Sequence, residues 1–110
     1  MKESNIVTAI STYLQMLENQ GKLIFIRNNS GAYKMGNSFV RFGKAGSPDF
    51  FMFLDEGENG IYGRTLHIEV KNEKGKQNDN QKEYQKNIEA LGHRYIIVRS
   101  LEEVENLLTK

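Results

Sequence analysis

Two short apolar runs with charged residues at their ends constrain the fold of this chain most strongly. Asp49 precedes the run Phe50–Leu54, and the next apolar run closes in Glu69, Val70 and Lys71. Both runs have the length of a strand, and the first is apolar on both faces, which is typical of a central strand. Residues two apart in a strand point to one face, so Glu69 and Lys71 project together. If the two strands are neighbours, Asp49 meets that pair at the edge of a buried sheet.

Three helices are predicted before, between and after the strands. Residues 3–18 place apolar side chains at three- and four-residue spacing, which predicts an amphipathic helix. A second such pattern covers residues 80–91 and ends at Gly92, and the capping-box pair Ser100 and Glu103 opens a last helix. The second helix places five side chains on one stripe: Gln81, Tyr84, Gln85, Ile88 and Leu91.

The remaining stretches complete a small α/β domain. Residues 27–31 are a turn-rich loop, and residues 55–60 are an acidic turn. The order helix, several strands, helix, strand, helix predicts a mixed central sheet flanked by helices, within a single domain that covers residues 1–110. Besides Phe50–Leu54, strands are predicted over residues 23–26, 64–71 and 94–99, with 38–42 as either a short strand or an extended arm.

The composition excludes several classes of protein. Hydrophobic residues are 38% and charged residues 26% of the chain, which is typical of a globular rather than a disordered protein. The absence of cysteine excludes disulfides and thiolate metal sites. No apolar run approaches the ~18 residues that a membrane span needs, and residues 1–5 lack the apolar core of a signal peptide. We therefore expect a cytoplasmic protein that is not bound to a membrane.

A long segment without acidic residues contrasts with the net charge of +1. Residues 19–48 contain five cations and no aspartate or glutamate. Such a segment suits contacts with phosphate, because cations release counterions while amides and hydroxyls hydrogen-bond phosphate oxygens. The alternative is a solvated loop and hairpin that happens to be basic. The candidate nucleic-acid contacts are Arg27, Asn28, Asn29, Ser30, Lys34, Arg41 and Lys44, together with Lys74 and Lys76 farther along the chain.

The charged residues at the strand ends have ordinary explanations when each is taken singly. Asp49 follows a Gly-Ser-Pro turn and can cap it, while Glu69 and Lys71 can face solvent on a half-covered sheet. Taken together, they indicate a site. Two carboxylates are suitable ligands for Mg²⁺ or Mn²⁺, and a neighbouring lysine can help deprotonate a metal-bound water or offset charge on a phosphate.

Two helical residues can extend this site. Glu3, at the start of the first apolar stripe, is either a favourable charge at a helix N-terminus or a group aimed into the site. Gln81, in the first turn of the second helix, either completes a capping interaction with Asn78 or reaches into the site. Its position on the core-facing stripe favours the site.

At these residues the chain resembles the PD-(D/E)XK nucleases, and more narrowly their VRR-NUC branch, the virus-type replication-repair nucleases. The resemblance spans nearly the whole chain and implies a restriction-endonuclease-like core. It depends on six features in order: a helix beginning near Glu3, Arg27-Asn28-Asn29-Ser30-Gly31, Gly46-Ser47-Pro48-Asp49, Glu69-Val70-Lys71, Gln81, and Tyr95-Ile96-Ile97-Val98-Arg99-Ser100.

The resemblance implies a DNA endonuclease that hydrolyses phosphodiester bonds with Mg²⁺ or Mn²⁺. Asp49 and Glu69 would ligate the metal together with the backbone carbonyl of Val70, and Lys71 would serve the attacking water. The catalytic residues that it implies are Glu3, Asp49, Glu69, Lys71 and Gln81.

Small stand-alone members of this family resemble viral proteins and are associated with homodimers that cut branched DNA, including four-way (Holliday) junctions. The resemblance therefore implies a structure-selective enzyme of DNA repair that works as a homodimer, in the host-cell cytoplasm if the protein is viral. Two alternatives stay open. In the first, the chain is a nuclease-fold protein that binds nucleic acid without cutting it. In the second, it is a small interaction domain in which the motif is accidental.

Overall fold

Three helices and six strands make up the part of the chain that the computed structural model describes, residues 1–55 and 63–108. Four strands form one sheet, and two form a separate hairpin. None of the described helices is long and apolar enough to cross a membrane. The acidic turn predicted over residues 55–60 lies outside the described residues from residue 56 onward. In chain order the elements are α1 (Glu3–Asn19), β1 (Ile24–Arg27), β2 (Gly31–Met35), β3 (Ser38–Phe42), β4 (Phe50–Leu54), β5 (Arg64–Val70), α2 (Asp79–Ala90), β6 (Arg94–Val98) and α3 (Leu101–Leu108).

The four-stranded sheet is mixed, as the sequence predicts. Its order is β1-β4-β5-β6; β4 pairs antiparallel with β1 and β5, and β5 pairs parallel with β6. The apolar strand β4 therefore occupies an interior position, and the expected neighbourhood of β4 and β5 is confirmed. Phe50 lies opposite Ile68 in their register. One step farther along, Asp49 faces Glu69, which brings the two carboxylates to one end of the sheet.

Alternation along β5 divides the sheet into an apolar face and a polar face. Ile68 and Val70 are fully buried in the core that α1 and α3 cover, whereas Glu69 and Lys71 point to the other face, where α2 lies. Full burial of one large apolar side chain contributes ~1.5–3 kcal/mol, so this core is the main stabilising element of the domain. Its members are Ile6, Ile10, Leu14, Leu17, Leu23, Phe50, Met52, Leu66, Ile68, Val70, Val98 and Val104.

The separate hairpin is the main departure from the predicted fold. The stretch 31–35 forms β2, for which no strand was predicted, and 38–42 forms β3 rather than an extended arm. Gly36 and Asn37 make the two-residue turn between them, and Gly36 has a φ of +63°, in the left-handed region that favours glycine. A Gly-Asn pair between two alternating runs is a hairpin signal that predicts this turn.

Smaller differences occur at the ends of elements. β1 lies one residue later than the predicted strand. α2 ends before Leu91, which is 76% exposed and does not complete the predicted stripe. The Ser100 hydroxyl accepts the Glu103 N–H at 3.3 Å, but the Glu103 carboxylate accepts the N–H of Arg99 at 2.6 Å, one residue before the expected cap. Both side chains therefore cap the start of α3, but the Glu103 carboxylate accepts the N–H of Arg99 instead of that of Ser100.

Candidate active site

Three carboxylates from three separate elements meet at one end of the sheet. Glu3 comes from the first turn of α1, Asp49 from the residue before β4, and Glu69 from the end of β5. One oxygen atom from each lies within 4.8 Å of the others. We call these three residues the acidic cluster. The structure therefore brings together the two predicted metal ligands and Glu3, whose place the sequence left open.

Asp49 is held by backbone groups on both sides. Its Oδ2 accepts the N–H of Val70 at 2.7 Å, and its backbone carbonyl accepts the N–H of Asn28 at 2.8 Å. The residue is thus fastened to β5 and to the chain leaving β1, so its carboxylate does more than cap a turn. The role of the Val70 carbonyl as a metal ligand stays a prediction.

Arg27 and Asn28 brace the loop that carries Asp49. The Asn28 side-chain amide donates to Ser47 Oγ and to the Pro48 carbonyl, both at 2.8 Å. The Arg27 guanidinium donates to the Asp49 carbonyl at 3.2 Å and lies 3.6 Å from Oδ1 of the same residue. Because the Asn28 amide makes two hydrogen bonds inside the protein, this side chain positions Asp49. The predicted contacts of Arg27 and Asn28 with DNA stay predictions.

A close backbone approach sets this loop against α2. Gly46 has a φ of +82°, which favours glycine. A Cβ at this position would overlap the carbonyl oxygen of Asn80, in the first turn of α2. Gly46 therefore fixes the separation between the Asp49 loop and the helix that carries Gln81. The sequence predicts a turn here, but it does not indicate which element the turn contacts.

Gln81 makes both of the interactions that the sequence left as alternatives. Its backbone N–H donates to Asn78 Oδ1 at 2.9 Å, and its Oε1 accepts the N–H of Asn78 at 3.0 Å, which completes a capping box. Its Nε2 donates to Glu69 Oε2 at 3.2 Å. One end of the amide thus fixes the start of α2 while the other end orients a carboxylate of the acidic cluster.

Glu69 and Lys71 form a buried ion pair within the site. Lys71 Nζ lies 3.8 Å from Glu69 Oε2, and the residues are 8% and 3% exposed respectively. Burial, followed by the charge of Asp49, raises the pKa of Glu69 to about 8, although the Lys71 ammonium acts in the opposite direction. The lysine alone therefore does not offset the burial of Glu69 and the neighbouring charge of Asp49.

The acidic cluster lies in a polar cleft of about 220 Å³, whose walls also include Gln81 and residues 27–30. A groove of about 500 Å³ runs along α1 and shares Glu3, Asp49 and Arg27 with this cleft. A polymer that lies along α1 therefore passes Glu3 and Asp49, at the mouth of the cleft that holds Glu69.

The remaining candidate contacts with nucleic acid fall into three groups. Two of these residues line the cleft, three belong to the hairpin or follow it, and two lie in the exposed connection between β5 and α2. Arg99 holds that connection, because its guanidinium donates to the carbonyls of Asn72 at 2.6 Å and Gly75 at 2.8 Å. In the same order, the groups are Asn29 and Ser30; Lys34, Arg41 and Lys44; and Lys74 and Lys76.

Two polar aromatic contacts beneath α2 are not indicated by the sequence. The Tyr84 hydroxyl lies 3.1 Å from Nδ1 of His67, and burial, followed by the charge of His93, lowers the pKa of His67. Burial raises the pKa of Tyr95 to about 12, and Gln77 donates to its hydroxyl at 3.4 Å. The first contact fastens α2 to β5, and the second fastens the residue before the helix cap to β6, so both help to hold the first turn of the helix beside the acidic cluster.

No protein-family model matches the chain, and comparisons with curated proteins and with solved structures gave no match. The resemblance to VRR-NUC nucleases therefore stays a prediction from residues. The geometry of the acidic cluster is independent of that resemblance.

Proposed function

We propose that this chain is a divalent-metal-dependent phosphodiesterase that cleaves DNA. The observation that supports this proposal most is the convergence of three carboxylates from three elements beside a buried lysine. Carboxylates with a lysine next to them are the groups that metal-assisted hydrolysis of a phosphodiester uses.

The donor set of the acidic cluster fits Mg²⁺ or Mn²⁺. Both cations prefer oxygen ligands, and the three carboxylates offer oxygens within 4.8 Å of one another. Burial raises the pKa of Glu69 first, and the neighbouring charges of Asp49 and Glu3 raise it further, so a divalent cation bound among these carboxylates would favour the ionised form of Glu69. The family resemblance suggests the Val70 backbone carbonyl as a further ligand. Bound there, the cation would polarise a phosphoryl oxygen and lower the pKa of a water ligand.

The other polar side chains prepare the site for hydrolysis. Lys71 holds its ammonium 3.8 Å from Glu69, where it orients the attacking water and offsets negative charge on the phosphoryl group. Gln81 orients Glu69 by donating to its Oε2. Arg27, on the wall of the cleft, offers planar donors to a phosphate. The water oxygen bonds to phosphorus, one ester P–O bond breaks, and a proton from the water ends on the leaving oxygen.

The proposed substrate is branched DNA, such as a four-way junction. Cations extend from the site on two separate elements, the hairpin and the connection between β5 and α2. Phosphates presented in more than one direction would be bound by both elements at once. The preference for a junction itself comes from the family resemblance.

We also propose a homodimer that is built on the apolar face of the hairpin. An isolated two-stranded hairpin is marginally stable in water, and among the described elements β2 and β3 contact only each other. A second copy that covers this face would stabilise the hairpin, and a two-fold axis would supply two sites for symmetric cuts. The face consists of Tyr33, Met35, Val40 and Phe42, of which Tyr33, Met35 and Phe42 are 50%, 62% and 45% exposed.

Incubation of the protein with four-way, flapped, gapped and duplex DNA in Mg²⁺, in Mn²⁺ and in chelator tests the proposed activity. We expect cuts in branched DNA with either cation and intact DNA in chelator. Binding without any cut in either cation would contradict the proposal and would support a nuclease fold that only binds nucleic acid.

Sedimentation velocity tests the homodimer. The wild type should sediment at twice the mass of the 12.7 kDa chain, and Met35→Glu should be a monomer because it places a charge in the apolar face. Leu91→Glu puts the same charge on an exposed apolar residue away from the hairpin and should remain dimeric. A wild type that is monomeric at micromolar concentration contradicts the proposed assembly.

A further inference from the structure

We infer that the β2–β3 hairpin is a DNA-binding arm whose Phe39 stacks on an unpaired base of the substrate. This inference rests on the proposed nuclease function and deepens it. It names the feature of the DNA that the arm recognises, an unstacked base a few nucleotides from the phosphate in the cleft.

The hairpin has two chemically different faces, because residues paired across two strands point to the same side. Lys34 pairs with Phe39, and Ala32 pairs with Arg41, so these four residues share one side, which we call the basic face. The two cations and the aromatic ring are therefore separated from the apolar face proposed for the homodimer.

Phe39 is exposed to a degree that core packing does not explain. The residue is 72% exposed, more than any other aromatic residue in the described part of the chain. Lys34 lies directly across from it, and Arg41 follows two residues along on the same face. An exposed ring between two cations suits single-stranded nucleic acid, because the ring can stack on a base while the cations contact the adjacent phosphates.

The hairpin cations form no ion pair with an acidic residue in the described part of the chain, and this favours nucleic acid as their partner. Residues 19–48 contain no aspartate or glutamate. Within residues 1–55 and 63–108, ion pairs form at Arg27 and Lys71, and neither Lys34 nor Arg41 takes part in one. Both hairpin cations thus remain available to phosphates.

The hairpin begins and ends beside the cleft. Ser30, which lines the cleft, directly precedes β2, and Gly43 directly follows β3. Gly43 has a φ of +66° and lies so near the returning chain that a Cβ there would be 2.6 Å from the Asn29 carbonyl oxygen. Phe39 lies three residues from Phe42 at the base of β3, which places it ~10 Å out along the strand. A phosphate in the cleft and a base on Phe39 can therefore belong to one DNA strand.

Stacking on Phe39 requires a base that has left the duplex stack. Branch points, gaps and flaps supply such bases, whereas a continuous duplex supplies one only after it is locally unstacked. The arm thus provides a physical basis for selecting distorted or branched DNA, which the hydrolytic groups alone do not provide.

Three substitutions of Phe39 test the arm. Affinities for gapped DNA and for a continuous duplex of the same sequence are measured by fluorescence anisotropy in chelator, and 2-aminopurine in the gap reports stacking. Phe39→Ala and Phe39→Leu should lose affinity for gapped DNA by about 5- to 100-fold while duplex binding changes by less than about twofold. Phe39→Trp should retain wild-type affinity and should still quench 2-aminopurine.

A matched control removes another exposed ring outside the hairpin. Phe53, on β4, is 43% exposed, so Phe53→Ala should leave both affinities at the wild-type values. Thermal melting of each variant confirms that it is folded.

Several outcomes would overturn the arm. Leucine keeps most of the apolar volume without the ring, so wild-type affinity of Phe39→Leu for gapped DNA contradicts stacking. An equal loss on gapped and continuous DNA contradicts it as well, as does dissociation of the homodimer by Phe39→Ala, which would place the ring in a contact between copies.

Different results would contradict the proposed arm and the proposed nuclease function. If the wild type cuts DNA but substitutions of Phe39 have no selective effect, only the arm is wrong. If the wild type binds gapped DNA through Phe39 and cuts no DNA in either cation, only the hydrolytic function is wrong.

Discussion

Asp49 faces Glu69 across the antiparallel β4–β5 pair, and its carboxylate also accepts the N–H of Val70, the residue after its partner, at 2.7 Å. Burial and the adjacent charge of Asp49 both oppose ionisation of Glu69, so its ionised form needs a compensating positive charge. Lys71 supplies part of that charge. Glu69 therefore takes up either a proton or a cation, and this choice links the stability of the domain to pH and to metal.

Without metal, the free energy of unfolding should fall as pH rises from the reference pKa of Glu69 to its pKa in the folded protein. Its carboxyl has a pKa of about 8 in the folded protein against 4.5 as the reference value, so between these values the folded state holds a proton that the unfolded state has lost. The free energy of unfolding should then decrease with pH by up to about 1.4 kcal/mol per pH unit and level off above pH 8. Urea unfolding at pH 5 to 9 in chelator measures this slope.

Glu69→Gln should flatten this slope, because glutamine has no proton to lose. Glu73→Gln changes an exposed glutamate in the connection after β5 and should keep the wild-type slope. Equal slopes for the wild type and Glu69→Gln would show that the folded state does not retain this proton.

Gly46→Ala should destabilise the domain by more than left-handed backbone strain alone. Alanine at positive φ costs about 1 kcal/mol, and at Gly46 its Cβ would also overlap the Asn80 carbonyl. Gly21 has a similar φ of +75° with no atom within 4 Å of a Cβ, so Gly21→Ala isolates the backbone strain. Chemical denaturation of both variants compares them, and equal losses would contradict the packing of the Asp49 loop on α2.

Asn28→Ala should lower stability by about 1–2 kcal/mol, because the hydrogen bonds to Ser47 and Pro48 are lost. Asn29 is its exposed neighbour, so Asn29→Ala should keep the wild-type stability. Thermal or urea unfolding distinguishes the two variants. A more stable Asn28→Ala than Asn29→Ala would contradict the bracing role of Asn28.

Lys71→Met should reduce cleavage by at least about 100-fold, since the ammonium beside the reacting phosphate is lost. Methionine preserves the apolar stem that packs near Gly75, so the fold should survive. The loss of the cation should also raise the pKa of Glu69 further, because Lys71 lowers it. Single-turnover cleavage at several pH values measures both effects, and wild-type rates for Lys71→Met would exclude Lys71 from the chemistry.

Part of the candidate site follows from the sequence because strand periodicity is local. Asp49 and Glu69 each lie at the end of an apolar run, and once β4 and β5 pair, their convergence follows. The position of Gln81 on the inner stripe of α2 likewise follows from helical spacing, and its bond to Glu69 agrees with it. The mixed α/β architecture is predicted for the same reason.

Other features depend on contacts between distant parts of the chain. The packing of Gly46 on Asn80 and the two side-chain bonds of Asn28 link segments whose approach no local pattern encodes. Strand β2 was missed because residues 31–35 include glycine and alanine and few typical β-formers. Its strand conformation comes from pairing with β3 across the turn at Gly36.

Cleavage of a four-way junction in Mn²⁺ by the wild type and by Asp49→Asn, side by side, tests the central claim most directly. Asparagine keeps the shape of aspartate and an oxygen that can accept the Val70 N–H, but it removes a charged ligand from the acidic cluster. We predict that the wild type cuts the junction, that chelator stops it, and that Asp49→Asn is at least about 100-fold slower although it still unfolds cooperatively from a folded state. An intact junction with the wild type, or equal rates for the two proteins, would contradict the claim that the acidic cluster is a metal-dependent nuclease site.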